Sequence, residues 1–211
     1  MRTFPRLPAL FVTFAVSSPA LCLSLDQQLA YCSNVDGKFS ADIQISGCTA
    51  IIDAGTADSR TLARIYFSRA LAYDDKSEFA LAIRDYNEVI RLNPDDATAL
   101  NNRALDLAIL GRDLEQALID SNRAVSIEPV ADDFSTRAFV YLRLHRYDEA
   151  IADDTKALEK NPKDAESLYA RGIAKIAKGD KAGGSADVAA AKAITPDIAD
   201  EFVRYGINYP L

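Results

Sequence analysis

The chain has 211 residues, 49% of them apolar, with 31 acidic against 24 basic side chains and a formal net charge of −7. So acidic a chain repels nucleic acid and anionic lipid, and neither is an expected partner. No Trp, one Met, nine Gly and eight Pro make the composition that of a soluble, mostly helical protein.

The opening segment, "MRTFPRLPALFVTFAVSSPALCLS", sets Arg2 and Arg6 ahead of an apolar run over residues 7–16 and a stretch with small residues. That three-part form predicts a secretory signal peptide over residues 1–24, cleaved within residues 20–24. Its apolar run falls well short of the ~20 residues that a permanent transmembrane helix needs, so no stable membrane span is expected after removal. A competing reading is an N-terminal amphipathic or core helix. Pro5, Pro8 and Pro19 oppose it by breaking helical continuity. Loss of Arg2 and Arg6 would move the net charge from −7 to −9. The expected address is the periplasm of a Gram-negative bacterium, or secretion.

Cysteine usage fits that address. Cys22 sits at the end of the leader, and Cys32 and Cys48 lie beyond it. Cleavage after Cys22 or Ser24 leaves an even pair, and an oxidising compartment would preserve a Cys32–Cys48 disulfide. The alternative is two buried free thiols. Zinc is not expected from two Cys and one distant His.

From residue 61 onward the chain repeats. Pro94, Pro129, Pro162 and Pro196 are spaced by 35, 33 and 34 residues, and Arg69, Arg103, Arg137 and Arg171 by 34 each. Each Arg precedes a small residue: Ala70, Ala104, Ala138, Gly172. A second small position recurs at Ala82, Ala117, Ala150 and Gly184, and a third apolar one at Val89, Ala124, Ala157 and Ala191. Within each copy the apolar spacing is helical and interrupted once by a polar link such as "DDKSE", so each copy is a helical hairpin. Small residues at the crossings allow close helix packing. The segments "NPDDA" and "NPKDA" end one helix and put Asp near the start of the next.

These residues resemble the tetratricopeptide-repeat (TPR) family. The small–aromatic–small–Pro pattern fits "YFSRALAY…FALAIRDY…VIRLNP" and "FSTRAFVYLRLHRYDEAIADDTKALEKNP" over about residues 63–198. The resemblance implies an all-α, right-handed superhelical solenoid of four repeats within residues 61–198, at about 63–96, 97–130, 131–164 and 165–198. Residues 25–60 are expected to form an N-terminal half-repeat, a lone second helix. Residues 196–211 are expected to form a C-terminal capping helix and tail. Where the family commonly has Trp, this chain has Tyr66, Leu100, Phe134 and Leu168. The second copy carries one extra residue between Arg103 and Ala117, and Lys175 and Lys181 give the fourth a wetter face.

Candidate chemistry is sparse. The only histidine, His145, aligns with Ser77, Gly111 and Gly179 in the turn inside the hairpin, which predicts an exposed residue and not a catalyst. No Ser/His/Asp set or phosphate loop assembles, and no enzyme, cofactor or metal is expected. Asp74-Asp75, Asp95-Asp96, Asp132-Asp133 and Asp153-Asp154 lack calcium-loop spacing and read as solvated helix ends. Asp85, Asp120, Asp153 and Asp187 recur in step with the four Arg, which predicts a structural ladder of ion pairs. The alternative is a row of Arg that binds anions.

The family's usual binding surface is the concave face lined by first helices. Here the resemblance implies a stripe of Arg64, Phe67 and Leu71, then Asn101, Leu105 and Ile109, then Phe139, Leu142 and Arg143, then Tyr169 and Ile173. It is largely apolar and would hold a peptide or protein partner. Some relatives clamp a carboxylate there with Lys, Asn and Arg. Phe67, Leu71, Asp132 and Thr136 replace four of those positions and only Asn102 matches, so such a clamp is not expected. Two other readings stay open: a non-binding envelope subunit whose groove is filled by its own tail, and an enzyme.

Overall fold

The computed structural model describes residues 24–207. The expected leader lies outside them apart from Ser24, as do Cys22 and residues 208–211. Among the described residues there are eleven helices and no strand: α1 (Leu25–Ser33), α2 (Ala41–Ala54), α3 (Ser59–Asp75), α4 (Phe79–Leu92), α5 (Ala97–Leu110), α6 (Leu114–Ile127), α7 (Ala131–Arg143), α8 (Tyr147–Lys160), α9 (Ala165–Ala177), α10 (Lys181–Ile194) and α11 (Ile198–Arg204). Successive helices pair into five hairpins, and each second helix also packs on the next first helix. First helices α5, α7 and α9 pack on one another and line one face, and α11 rests on α9 and α10 at the C-terminal end.

Local sequence explains the breaks. Asp58, Asp96, Asp164 and Asp180 cap helices α3, α5, α9 and α10, each accepting from a backbone N–H in the first turn. Inside the hairpins the turn residue takes positive φ: +57° at Ser77, +63° at Gly111, +57° at His145 and +96° at Gly179. His145 therefore does the backbone work of a turn glycine. It is exposed, and its Nδ1 lies 2.9 Å from the Tyr147 hydroxyl. The extra residue of the second copy is absorbed in the α5–α6 turn, where Asp113 adds a second positive φ of +46°.

The repeated small positions are where helices touch. Ala70, Ala82, Ala104, Ala117, Ala138 and Ala150 are all fully buried. Tyr86, Val89 and Ala99 close the core of the first repeat, and one larger core runs on through α11.

The N-terminal end departs from expectation. The half-repeat expected as a lone second helix is α2, but α1 packs antiparallel against it, so this end closes on a short hairpin. Ser24 caps α1 in a reciprocal box with Gln27. Gly47 stands where later hairpins have the ladder Asp; a Cβ there would lie 2.6 Å from Tyr31 Cβ and 2.8 Å from the Gln28 carbonyl oxygen. Only glycine lets α1 approach so closely. Cys32 and Cys48 are joined by a disulfide beside this contact, with Cα atoms 4.6 Å apart.

Candidate interaction groove and its acidic cavity

The ladder residues come together as four forks. Nε and Nη2 of Arg69 donate to Asp85 at 2.7 and 2.8 Å, and those of Arg103 to Asp120 at the same distances. Arg137 meets Asp153 at 2.6 and 3.0 Å, and Arg171 meets Asp187 at 2.8 and 2.9 Å. The carboxylates are buried and the guanidiniums nearly so. Each Arg also spends Nη1 on the preceding second helix, at Thr49, Asn87, Asn122 and Thr155. One guanidinium thus ties three helices, which is a structural use of the row and leaves its fork closed to anions. This third partner is no part of the ladder expected from sequence. In three rungs it recurs two residues after a ladder acid, so the repeat spacing carries it. Lys175 is a further correction: it is no wet-face residue, because its Nζ joins Asp187 at 2.8 Å.

The groove stripe divides in two. Over α3, Arg64 and Leu71 are exposed, and Phe67 is half-buried with its ring edge-on to Tyr86 at 5.9 Å. Beside them a cleft of about 790 Å³ opens between Arg60, Arg64 and Phe67 of α3 and Asn93 and Thr98 near the α4–α5 turn. Leu105 and Ile109 of α5 are half-buried, and Asn101 is buried. Over α7 and α9 the stripe is covered. Phe139, Leu142, Tyr169 and Ile173 retain only 6%, 5%, 4% and 1% exposure. Phe202 of α11 lies edge-on to Phe139 at 5.8 Å and to Tyr169 at 4.7 Å, and Tyr205 to Phe139 at 6.1 Å. Arg143 donates to the Tyr205 carbonyl at 2.8 Å. These five residues, expected to face a partner, are therefore core and α11 docking contacts. An apolar stripe ending in two aromatics is completed by the chain's own last helix.

Asp75, Asp95 and Asp132 are exposed and Asp96 caps α5, as solvated helix ends do, but the other four acids of the Asp-Asp pairs behave differently. Asp153 is a ladder residue, Asp133 is buried, and Asp154 has no exposure at all. Asp74 accepts from the Tyr86 hydroxyl at 2.6 Å, and Asn102 donates to that hydroxyl at 3.0 Å. Asp74 and Asp106 form a coupled pair. Burial pushes both carboxyls up, Asp74 to about 6 and Asp106 to about 9, with the Asp74 charge adding to the rise at Asp106. Burial likewise holds the Asp154 carboxyl well above its ordinary range, although Arg171 is near.

Between α5, α7, α8, α9 and α11 lies a cavity of about 350 Å³ with Asp154, Asp132, Asp164 and Glu166 among its walls. Desolvation, then the charges of Glu201, Asp164 and Asp132, push the Glu166 carboxyl up to about 7. Among the described residues no basic side chain lines the cavity, so it favours cations over anions. Among the described residues, no cluster of His, Cys, Asp and Glu could hold a metal ion, and no helix is long and apolar enough to cross a membrane.

Residues 63–96 and 136–197 each match a family profile described as tetratricopeptide repeat. Among curated proteins, Hsp70-Hsp90 organizing protein 3 of Arabidopsis thaliana is 26% identical over 113 residues, 49% of this chain. That match spans only 20% of the relative's length. Among solved structures, MamA (residues 41–end) from Desulfovibrio magneticus RS-1 superposes with a TM-score of 0.68 at 13% identity, covering 82% of this chain and 96% of that one. YrrB, described as a TPR protein with an unusual peptide-binding site, superposes with a TM-score of 0.64 at 15% identity, covering 87% and 93%. At such identities the structures speak for the fold.

Proposed function

The chain belongs to the tetratricopeptide-repeat family, and on that premise we propose that it is an exported, non-enzymatic scaffold holding a peptide or protein partner against the N-terminal half of its concave face. One contrast carries this reading: Leu71 is 39% exposed and Arg64 opens onto a large cleft, whereas the counterparts of Leu71 over α7 and α9, Phe139 and Ile173, lie in the core that α11 completes. A large open cleft with Phe67 among its walls suits an extended segment better than a small metabolite. Relatives whose names speak of organizing Hsp70 and Hsp90, and a neighbour described by its peptide-binding site, support the class of activity. Export rests on the leader pattern and on the Cys32–Cys48 pair.

A second reading, a groove filled by the chain's own tail, has the seat of Phe202 on Phe139 and Tyr169 in its favour. It accounts for the C-terminal half, since these contacts lie over α7 and α9. Site-specific photocrosslinking in the native cell separates the two. A crosslinker at Leu71 is expected to capture a discrete partner, and one at Ile119, exposed and apolar on α6, is not. Capture from Ile119 alone would place the interface elsewhere. Fractionation with intact-mass analysis tests export: the expected species is envelope-located, begins within residues 21–25, and weighs two hydrogens less than its reduced form. An unprocessed cytosolic chain would overturn that part.

A further inference from the structure

The cavity under α11 arises from a substitution within the repeat. The residue after each ladder acid is Tyr86, Ser121, Asp154 and Val188, and all four are buried. In the first repeat the Tyr86 ring fills this position and its hydroxyl reaches Asn102 of the next first helix. In the third repeat the ring is replaced by the short Asp154 side chain. The residue corresponding to Asn102, which is 68 positions on and two repeats later, is Ala170. Both sides of the contact are cut back, and the cavity occupies the space.

A carboxyl group has thus been placed at the bottom of a hole with nothing to hold it. Asp154 is fully buried, and neither of its oxygens has a hydrogen-bond partner. Buried carboxylates are ordinarily paired, and leaving one unpaired is costly. The nearby Arg171 is already committed, with its fork on Asp187 and its remaining nitrogen on Thr155. Arg137 is likewise committed, with its fork on Asp153 and its remaining nitrogen on Asn122, and Lys156 donates to Asp153. The missing partner of Asp154 is therefore a donor that the described chain does not supply. Asp132, Asp164 and Glu166 give the cavity a single sign of charge, and Phe202 and Tyr205 supply aromatic walls. Acid at the base and rings at the side are the two features that recognise an organic cation.

We propose that this cavity receives one alkylammonium or guanidinium group, carried by a free amine or by a lysine or arginine side chain, with Asp154 as its counter-charge. The cation donates N–H hydrogen bonds to the Asp154 carboxylate while its alkyl stem lies along Phe202 and Tyr205. The site stands apart from the cleft over α3 and does not require that cleft to hold a partner.

Titration of the mature, disulfide-intact protein with 1,4-diaminobutane, N-acetyl-lysine amide, N-acetyl-arginine amide and the neutral N-acetyl-norleucine amide tests the proposal, read by calorimetry and by amide chemical shifts. At least one cation is expected to bind ten-fold or more tightly than the norleucine compound and to shift the amides of Ser167 and Ala170. Asp154→Asn, nearly isosteric, is expected to weaken that cation at least ten-fold while circular dichroism stays native. Preference for the diamine identifies a free amine as the ligand, and preference for the amino-acid amides identifies a side chain of a larger partner. The proposal is overturned if no cation outcompetes norleucine amide, or if Asp154→Asn binds as wild type. Should Asp154→Asn fail to fold, the wild-type shifts decide: perturbation confined to exposed acids such as Asp95 and Asp148 would mean general electrostatic attraction and no site.

Discussion

Arg103 shows what a single ladder residue does. Its guanidinium closes on Asp120, whose side chain is 2% exposed, and its third nitrogen reaches Asn87 on the preceding hairpin. Arg103→Ala leaves a buried carboxylate without its counter-charge, held only by the Gln116 amide at 2.8 Å, and the expected loss is roughly 3–5 kcal/mol in denaturant unfolding. Arg103→Lys should recover only part of it, because an ammonium cannot make the planar fork. A midpoint unchanged in the alanine variant would show that the rung carries no net energy. Asp106 makes a prediction about pH. Its folded pKa is raised above the unfolded value, so the folded state keeps a proton that the unfolded chain has already released. Stability from this proton is fully present below the ordinary carboxylate range and is lost as pH rises toward about 9. Asp74 adds a step in the same direction near 6. Wild-type stability is therefore expected to fall between pH 5 and pH 9, and Asp106→Asn, which cannot ionise, to flatten that slope. A slope unaltered by Asp106→Asn would put the titration elsewhere.

At the scale of elements, the hairpin of α1 and α2 is the least repeat-like unit and the most dependent on a covalent tie. Its interface rests on Gly47, Cys32, Cys48, Ile51 and Ile65 of α3, a small core beside those that follow. Closing a loop of 16 residues contributes roughly 3 kcal/mol on the chain-entropy account. Reduction, or Cys48→Ser, is expected to raise hydrogen exchange across residues 25–54 while α4 to α10 keep their protection. Uniform loss across all helices would instead make the hairpin part of one cooperative unit. The later hairpins need no such tie. Each buries small residues on both sides and carries its own Arg–Asp rung, so nearest-neighbour packing supports it.

Across the whole molecule, the decisive feature is the asymmetry of the concave face. Phe202 is 3% exposed and joins Phe139, Tyr169 and Tyr205 in one aromatic group. Phe202→Ala is expected to cost roughly 3–5 kcal/mol, as large-to-small changes in a packed core do, with the loss concentrated in α9 to α11. Phe139→Ala should behave alike, since Phe139 is core. Phe67→Ala, at the open end, should change stability far less and reduce partner capture. Stability losses of equal size for Phe67 and Phe202 would contradict the division of the face.

Some of this protein was written in its one-dimensional order. A period near 34 marks the helical hairpins because every copy must bury the same small residues at the same crossings. The Arg–Asp ladder was legible for the same reason: two residues that recur in step on paired helices meet in every copy. Features that occur once have no such echo. The pairing of α1 with α2 depends on one glycine and one disulfide. The burial of Phe139 and Tyr169 depends on where a seven-residue helix lands after the last repeat. The fate of Asp154 depends on that landing and on the small Ala170 of α9. A polar residue beside a ladder acid reads as surface until the neighbouring helices close over it, and only their packing in three dimensions turns it into an unpartnered carboxyl group facing a cavity.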